Sequence, residues 1–150
     1  MLLASDGRRD ISKRAIARAA ALAGSEPVGV VRIAKIYGSS FGLPHPGLLP
    51  TKQELTEHRS HVDRALRGLR KKEVEADGQV AATRRATKKL AEIAKLRRAR
   101  VVVIDETEAS GWRRMVEGDV GEDLRKKLRH TGIDVEIVPA NGSAEARHAG

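Results

Sequence analysis

The sequence predicts a doubly wound, Rossmann-like α/β fold: a five-stranded parallel sheet in the order 3-2-1-4-5 with helices on both faces. Apolar strand patterns alternate with helical patterns along the whole chain, which favours parallel strands joined by right-handed crossovers. The continuous apolar run at residues 101–104 is typical of a strand buried on both faces. After it come a loop and then a helix with Val120, Leu124 and Leu128 on one face, so we expect a ligand site there.

The remaining elements follow from periodicity and composition. Runs rich in β-branched and apolar residues mark the strands, whereas apolar residues three or four positions apart mark the helices. The predicted strands cover residues 1–5, 28–36, 79–84, 101–104 and 133–138. The predicted helices cover residues 10–23, 51–76, 87–99 and 119–130.

Several element ends carry recognisable signals. Asp10 is a plausible N-cap for the first helix, and Thr51 with Glu54 forms a capping box at the second. The pair Asp77-Gly78 is interpreted as the turn that ends this second helix. Residues 38–50 contain three prolines, and we expect a loop without regular structure there.

Composition limits the class of protein. The chain has 150 residues, 40% of them hydrophobic, and no cysteine, which excludes disulfides and thiolate chemistry. We predict one domain over residues 1–139 and a disordered tail over residues 140–150. No apolar run is long enough for a membrane span, and the first residues lack a basic signal-peptide region, so we expect a cytoplasmic location and no membrane partner.

The chain is strongly basic, with a net charge of +9. Such a charge favours acidic partners through long-range attraction, but the basic residues are spread along the sequence rather than clustered. Within the second predicted strand, we expect Arg32 and Lys35 to lie at the end or edge. A protein that binds single-stranded nucleic acid needs aromatic stacking platforms, and only Tyr37, Phe41 and Trp112 are aromatic.

Two segments resemble the universal stress protein family. They are the opening ASDGRRDISKRAIARAAALA and the later VVVIDETEASGWRRMVEGDVGEDL, with a proline-rich loop between them as in that family. The resemblance covers residues 1–139 and implies the adenine nucleotide alpha hydrolase-like fold. The stretch GWRRMVEGDVGEDLRKKLRHTGIDVEIVP is also similar to the universal-stress domain of bacterial potassium-sensing histidine kinases.

The resemblance implies an adenine-nucleotide site that departs from the family pattern. ATP-binding members carry G-x2-G-x9-G-[S/T] after the fourth strand. When its last glycine is placed on Gly118, the first two fall on Asp105 and Glu108, and the hydroxyl position falls on Asp119. Glycines let the backbone approach phosphates, whereas each carboxylate adds bulk and a like charge at a cost of about 1 kcal/mol or more. The resemblance therefore implies weak or absent ATP binding.

Other positions of the implied site are retained. By resemblance, Asp6 contacts adenine and Ile33 offers its backbone to the base, while backbone N–H groups near Val120 face the phosphates. Arg113 supplies positive charge for the phosphates, together with its neighbour Arg114. Asp6 is equally consistent with a residue that merely caps the turn after the first strand, and Gly118 with a simple helix N-cap.

Metal and hydrolytic chemistry have weaker support. The acids at positions 105, 106 and 108 could bind a divalent cation, but a solvated acidic loop explains them as well. His58 and His61 share a helix face without an evident third metal ligand, so we predict no metal site. No serine has a histidine and an acid in a recognisable arrangement, and we expect no enzyme activity.

Two functions of different class remain open. The first is a non-catalytic, universal-stress-type regulatory protein in the stress response, with a degenerate adenine-nucleotide site. The second is a basic module that binds nucleic acid or another polyanion, and a slow ATPase is a weaker third. We also predict a homodimer paired through the last strand, whose apolar edge a monomer would leave open.

Overall fold

The computed structural model describes residues 1–6, 9–36, 50–106 and 120–139. Its strands are β1 (Leu2–Ser5), β2 (Val28–Lys35), β3 (Ala76–Thr83), β4 (Val101–Asp105) and β5 (Asp134–Val138). Its helices are α1 (Lys13–Ala23), α2 (Lys52–Lys71), α3 (Ala86–Leu96) and α4 (Val120–Lys127). The proline-rich loop over residues 38–49 and the tail over residues 140–150 lie outside the described residues.

The five strands form one parallel sheet in the order β3-β2-β1-β4-β5. The predicted fold class and strand order are therefore confirmed. β1 lies at the centre, where its register pairs Leu3 with Val30 of β2 and with Val103 of β4. The chain order reverses beside β1, which places a crevice between the carboxyl ends of β1 and β4.

The core consists of two apolar layers, one on each face of the sheet. Leu3, Val30 and Val103 point to the layer that contains α1 and α2. Their neighbours along the strands, such as Leu2 and Val102, point to the layer that contains α3 and α4. Because both faces are covered, the central strands β1 and β4 are apolar up to their last residue rather than alternating.

The start of α1 differs from the prediction. The N-cap is Ser12, whose hydroxyl accepts a hydrogen bond from the Ala15 amide at 3.1 Å. Asp10 instead binds α2, with 2.5 Å to Nδ1 of His61 and 2.6 Å to a guanidinium nitrogen of Arg64. The interpretation of Asp10 as the N-cap was wrong, because its carboxylate binds two residues that are distant in the sequence.

The start of α2 follows the prediction at Thr51, whose hydroxyl accepts from the Glu54 amide at 3.1 Å. The end of α2 differs from the prediction, because Asp77 and Gly78 belong to β3 rather than to a turn. A Cβ atom at Gly78 would lie 2.3 Å from Cγ1 of Val62, so this glycine lets α2 cross close to the sheet.

β5 is an edge strand of the described sheet. The Asp134 amide donates to the Arg100 carbonyl at 3.0 Å. At the other end, the Val138 carbonyl accepts from the Glu106 amide at 3.0 Å. Because backbone groups alternate in direction along a strand, those of Ile137 point away from β4. None of the described helices is long and apolar enough to cross a membrane.

Candidate functional site at the carboxyl edge of the sheet

The last residues of β1 and β4 and one residue within β2 form a polar row inside the molecule. Ser5 of β1 is in register with Arg32 of β2 and with Asp105 of β4. All three are buried, with exposed fractions of 2%, 0% and 1%. They continue the alternation that places Leu3, Val30 and Val103 under α1 and α2. The apolar layer on this face therefore turns polar at the carboxyl edge, where the site was predicted.

Asp105 is bound to the start of α1. Its Oδ2 accepts from the Ser12 amide at 2.8 Å, and its Oδ1 accepts from the Ser12 hydroxyl at 3.1 Å. Burial raises the pKa of the Asp105 carboxyl, while the bonds from Ser12 and the charge of Arg32 act in the opposite direction. The sequence predicted that a loop begins at Asp105, but this residue ends β4, and its carboxylate already has partners within the protein.

Arg32 is the largest fully buried side chain in the described part of the chain. Its Nη1 donates to the Ser5 hydroxyl at 3.0 Å, and its Nε donates to Nδ1 of His58 on α2 at 3.2 Å. The prediction that Arg32 lies at the end or edge of its strand was wrong. Burial is tolerated because groups from two other elements accept its hydrogen bonds.

His58 is held in its neutral form by this contact. Burial and the adjacent Arg32 charge lower the pKa of His58 below its usual value. Its Nδ1 accepts the bond from Arg32, so the proton of the neutral ring is on Nε2. His61 faces Asp10 instead, and the described residues contain no group of three metal-ligating side chains.

Asp6 lies directly after β1 at the mouth of the crevice. Its side chain is 34% exposed, and its carboxylate is 3.8 Å from Nζ of Lys35 at the end of β2. The register of β1 with β2 ends at Arg32, which leaves Ile33 just past the end of β1. The Ile33 side chain is buried against the α3 and α4 layer. Asp6 and the Ile33 backbone are thus both at the carboxyl edge.

A cleft of about 450 Å³ opens beside these residues, at the start of α3, and we name it the α3 cleft. It is lined by Lys35, Ile36, Arg84, Arg85, Ala86, Thr87, Lys88, Val120 and Lys127. Five of these residues are basic and none is acidic. Sequence reasoning missed this cluster because its members come from β2, the turn before α3, α3 itself and α4. The dipeptide Arg84-Arg85 at the end of the third strand was the only local signal.

Comparison with known proteins places this geometry in context. No protein-family model and no curated protein sequence matches the chain. A universal stress protein structure from Archaeoglobus fulgidus aligns with a TM-score of 0.64 and 18% identity, over 91% of this chain and 90% of its own. The structure of the universal stress protein from Archaeoglobus fulgidus in complex with dAMP aligns with a TM-score of 0.59 and 17% identity, over 91% of this chain and 94% of that one. A universal stress protein in complex with cAMP aligns with a TM-score of 0.56 and 18% identity, over 93% of this chain and 96% of that one. The chain has the fold of the universal stress proteins.

Within this universal stress protein fold, the predicted site residues divide into two groups. Val120 begins α4 and lines the α3 cleft. Lys35 lines the same cleft and forms an ion pair with Asp6. The other predicted positions, Glu108, Arg113, Gly118 and Asp119, lie outside the described residues. The similarity to the domain of histidine kinases stays a prediction.

Proposed function

We propose that this chain is a non-catalytic regulatory protein of the universal-stress type that binds adenine nucleotides weakly at the carboxyl edge of its sheet. The observation that carries the proposal is the crevice beside β1, where the partly exposed carboxylate of Asp6 adjoins a cleft lined by cations. A carboxylate can accept a hydrogen bond from an adenine amino group, and the cations attract phosphate. Two proteins of this fold bind dAMP and cAMP, which supports an adenine nucleotide as the ligand.

Weak affinity for ATP follows from the loop after β4. The buried carboxylate of Asp105 bonds to Ser12, so we do not count it against a phosphate group. Glu108 and Asp119 remain where the family signature has glycine and a hydroxyl residue. At about 1 kcal/mol each, these two charges would weaken triphosphate binding roughly 30-fold.

The absence of catalysis is supported by the partners of the polar side chains. Ser12 uses its hydroxyl to cap α1 and to bind Asp105. The Ser5 hydroxyl and Nδ1 of His58 both accept hydrogen bonds from Arg32. Within the described parts of the chain, these groups hold the fold together and none forms the nucleophile–base pair that hydrolysis needs.

Calorimetry with AMP, ADP and ATP tests the proposal. We compare the wild type with the double variant Glu108→Gly/Asp119→Ser at one salt and magnesium concentration. Asp105 is left unchanged, because replacing it would break its bonds to α1 and confuse affinity with stability. We expect the double variant to bind ATP roughly 30-fold more tightly than the wild type.

The matched control is Glu57→Gln/Asp63→Ser, which removes the same two charges from exposed positions on α2. It should leave ATP affinity within about twofold, because exposed charges are largely screened by salt. Submicromolar ATP binding by the wild type would contradict the weak site. If neither the wild type nor the double variant binds any adenine nucleotide, the proposal as a whole is wrong. ATP turnover at a rate that follows enzyme concentration would contradict the non-catalytic role.

The polyanion alternative is favoured by one specific observation, the five basic residues of the α3 cleft in a chain of net charge +9. A nucleic-acid binder would show an affinity that falls steeply with salt concentration and does not respond to added nucleotide. Titration with a labelled oligonucleotide at two salt concentrations, with and without ADP, separates the two functions.

A further inference from the structure

The α3 cleft has the charge of a phosphate site but does not belong to the loop that holds phosphate in the family signature. Its basic residues converge from separate elements: Lys35 from β2, Arg84 and Arg85 from the turn before α3, Lys88 from α3 and Lys127 from α4. Their positive charges add up at one place on the surface and make the cleft attractive to an anion. Of the five, Arg84, Arg85, Lys88 and Lys127 are exposed.

We propose that the α3 cleft holds phosphate groups of the nucleotide, so that the cations around α3 add to the phosphate contacts of the loop after β4, which the carboxylates of Glu108 and Asp119 weaken. This inference rests on the proposed function, because it assumes that an adenine nucleotide occupies the carboxyl edge. It adds a location for the phosphates and a reason why a chain without the glycine signature keeps affinity for nucleotides.

Lys35 links the cleft to the predicted base site. Lys35 lines the cleft, and its Nζ is 3.8 Å from the Asp6 carboxylate that the resemblance assigns to adenine. Val120, at the start of α4, lines the same cleft. A single ligand with its base at Asp6 can therefore place its phosphates among the cations. The cleft volume of about 450 Å³ is within the range of small-molecule sites.

The N-terminus of α3 also favours an anion in the cleft. Arg85 occupies its N-cap position without a side-chain hydrogen bond to the helix, and the first turn contains no acid. Ala86, Thr87 and Lys88 of this turn line the cleft. Their backbone N–H groups add partial positive charge to that of the side chains.

Calorimetry on a matched pair of double variants tests the inference. The cleft variant is Lys88→Gln/Lys127→Gln. The control is Lys95→Gln/Lys126→Gln, which changes exposed lysines on the same two helices that do not line the cleft. Both variants lose the same net charge, so a difference between them reports position rather than overall attraction. Adenosine, AMP and ADP are titrated into each protein and into the wild type.

We expect the wild type to bind ADP more tightly than AMP and AMP more tightly than adenosine. The cleft variant should bind ADP about fivefold or more weakly, and adenosine as the wild type does. The control should change ADP affinity by less than about twofold. The dependence of ADP affinity on salt should also be flatter in the cleft variant than in the control.

The failure of this inference is distinct from the failure of the proposed function. If the wild type binds ADP and the two variants weaken it equally, the phosphates lie elsewhere and only the inference is overturned. If cleft and control variants lose affinity for adenosine as much as for ADP, the cleft does not act on phosphate and the inference is again overturned. If the wild type binds none of the three ligands, both statements are wrong.

Discussion

The Ser12 hydroxyl links α1 to the buried polar row, and its removal provides a quantitative test of that row. The hydroxyl accepts from the Ala15 amide at 3.1 Å as the N-cap and donates to Oδ1 of Asp105 at 3.1 Å. Ser12→Ala removes both bonds and leaves only the backbone bond of 2.8 Å to Oδ2. Loss of a cap costs about 1 kcal/mol, and loss of a hydrogen bond to a buried carboxylate about 1.5–3 kcal/mol. We therefore expect the free energy of unfolding to fall by about 3 kcal/mol.

Urea unfolding monitored by circular dichroism measures this loss, with Thr51→Ala as the control. Thr51 caps α2 with the same 3.1 Å geometry, but at an exposed site where only the cap is lost. The control should cost about 1 kcal/mol, so the difference between the variants isolates the bond to Asp105. Equal losses for Ser12→Ala and Thr51→Ala, within about 0.5 kcal/mol, would refute the reasoning.

Three further predictions concern packing, pH and assembly. Gly78→Ala should destabilise the protein by about 2–3 kcal/mol, because the new Cβ falls 2.3 Å from a side chain of α2. A loss below about 0.5 kcal/mol for Gly78→Ala would contradict the close crossing. The pKa of His58 is lower in the folded protein than its unfolded value of 6.5, so the free energy of unfolding should fall as the pH drops below 6.5. His58→Gln should flatten this part of the pH profile measured by urea unfolding. An unchanged profile would contradict the lowered pKa. Light scattering at tens of micromolar should give twice 16.3 kDa for a dimer paired through β5, and Ile137→Pro should halve that mass by removing a backbone N–H from the open edge. A wild-type mass near 16.3 kDa would contradict the dimer.

Much of the fold could be predicted because it depends on local patterns. The run at residues 101–104 is apolar at every position, as a strand covered on both faces must be. Leu90, Ile93 and Ala94 have helical spacing in the sequence, and all three are buried on one face of α3. Alternation of these patterns then limits the topology, because crossovers are right-handed.

Element ends were less reliable where a distant part of the chain supplies the partner. Asp10 has the chemistry of an N-cap, but its carboxylate binds His61 and Arg64 of α2. Asp77-Gly78 has the composition of a turn, but the pair belongs to β3, where it is in register with residues 29 and 30 of β2. Local preference is outweighed in both cases by tertiary contacts.

The sequence by itself determined the layers and the strand order, and from these the edge of the sheet at which a site is expected. It could not determine that Arg32 and Asp105 are buried, since a charge within a strand ordinarily indicates an edge or an end. Only the tertiary structure brings Ser5, Ser12 and His58 into hydrogen-bonding distance of these charges. The α3 cleft likewise depends on the tertiary structure. Its cations come from separate parts of the chain, and they become one cluster because parallel strands and the helices after them meet at a common edge.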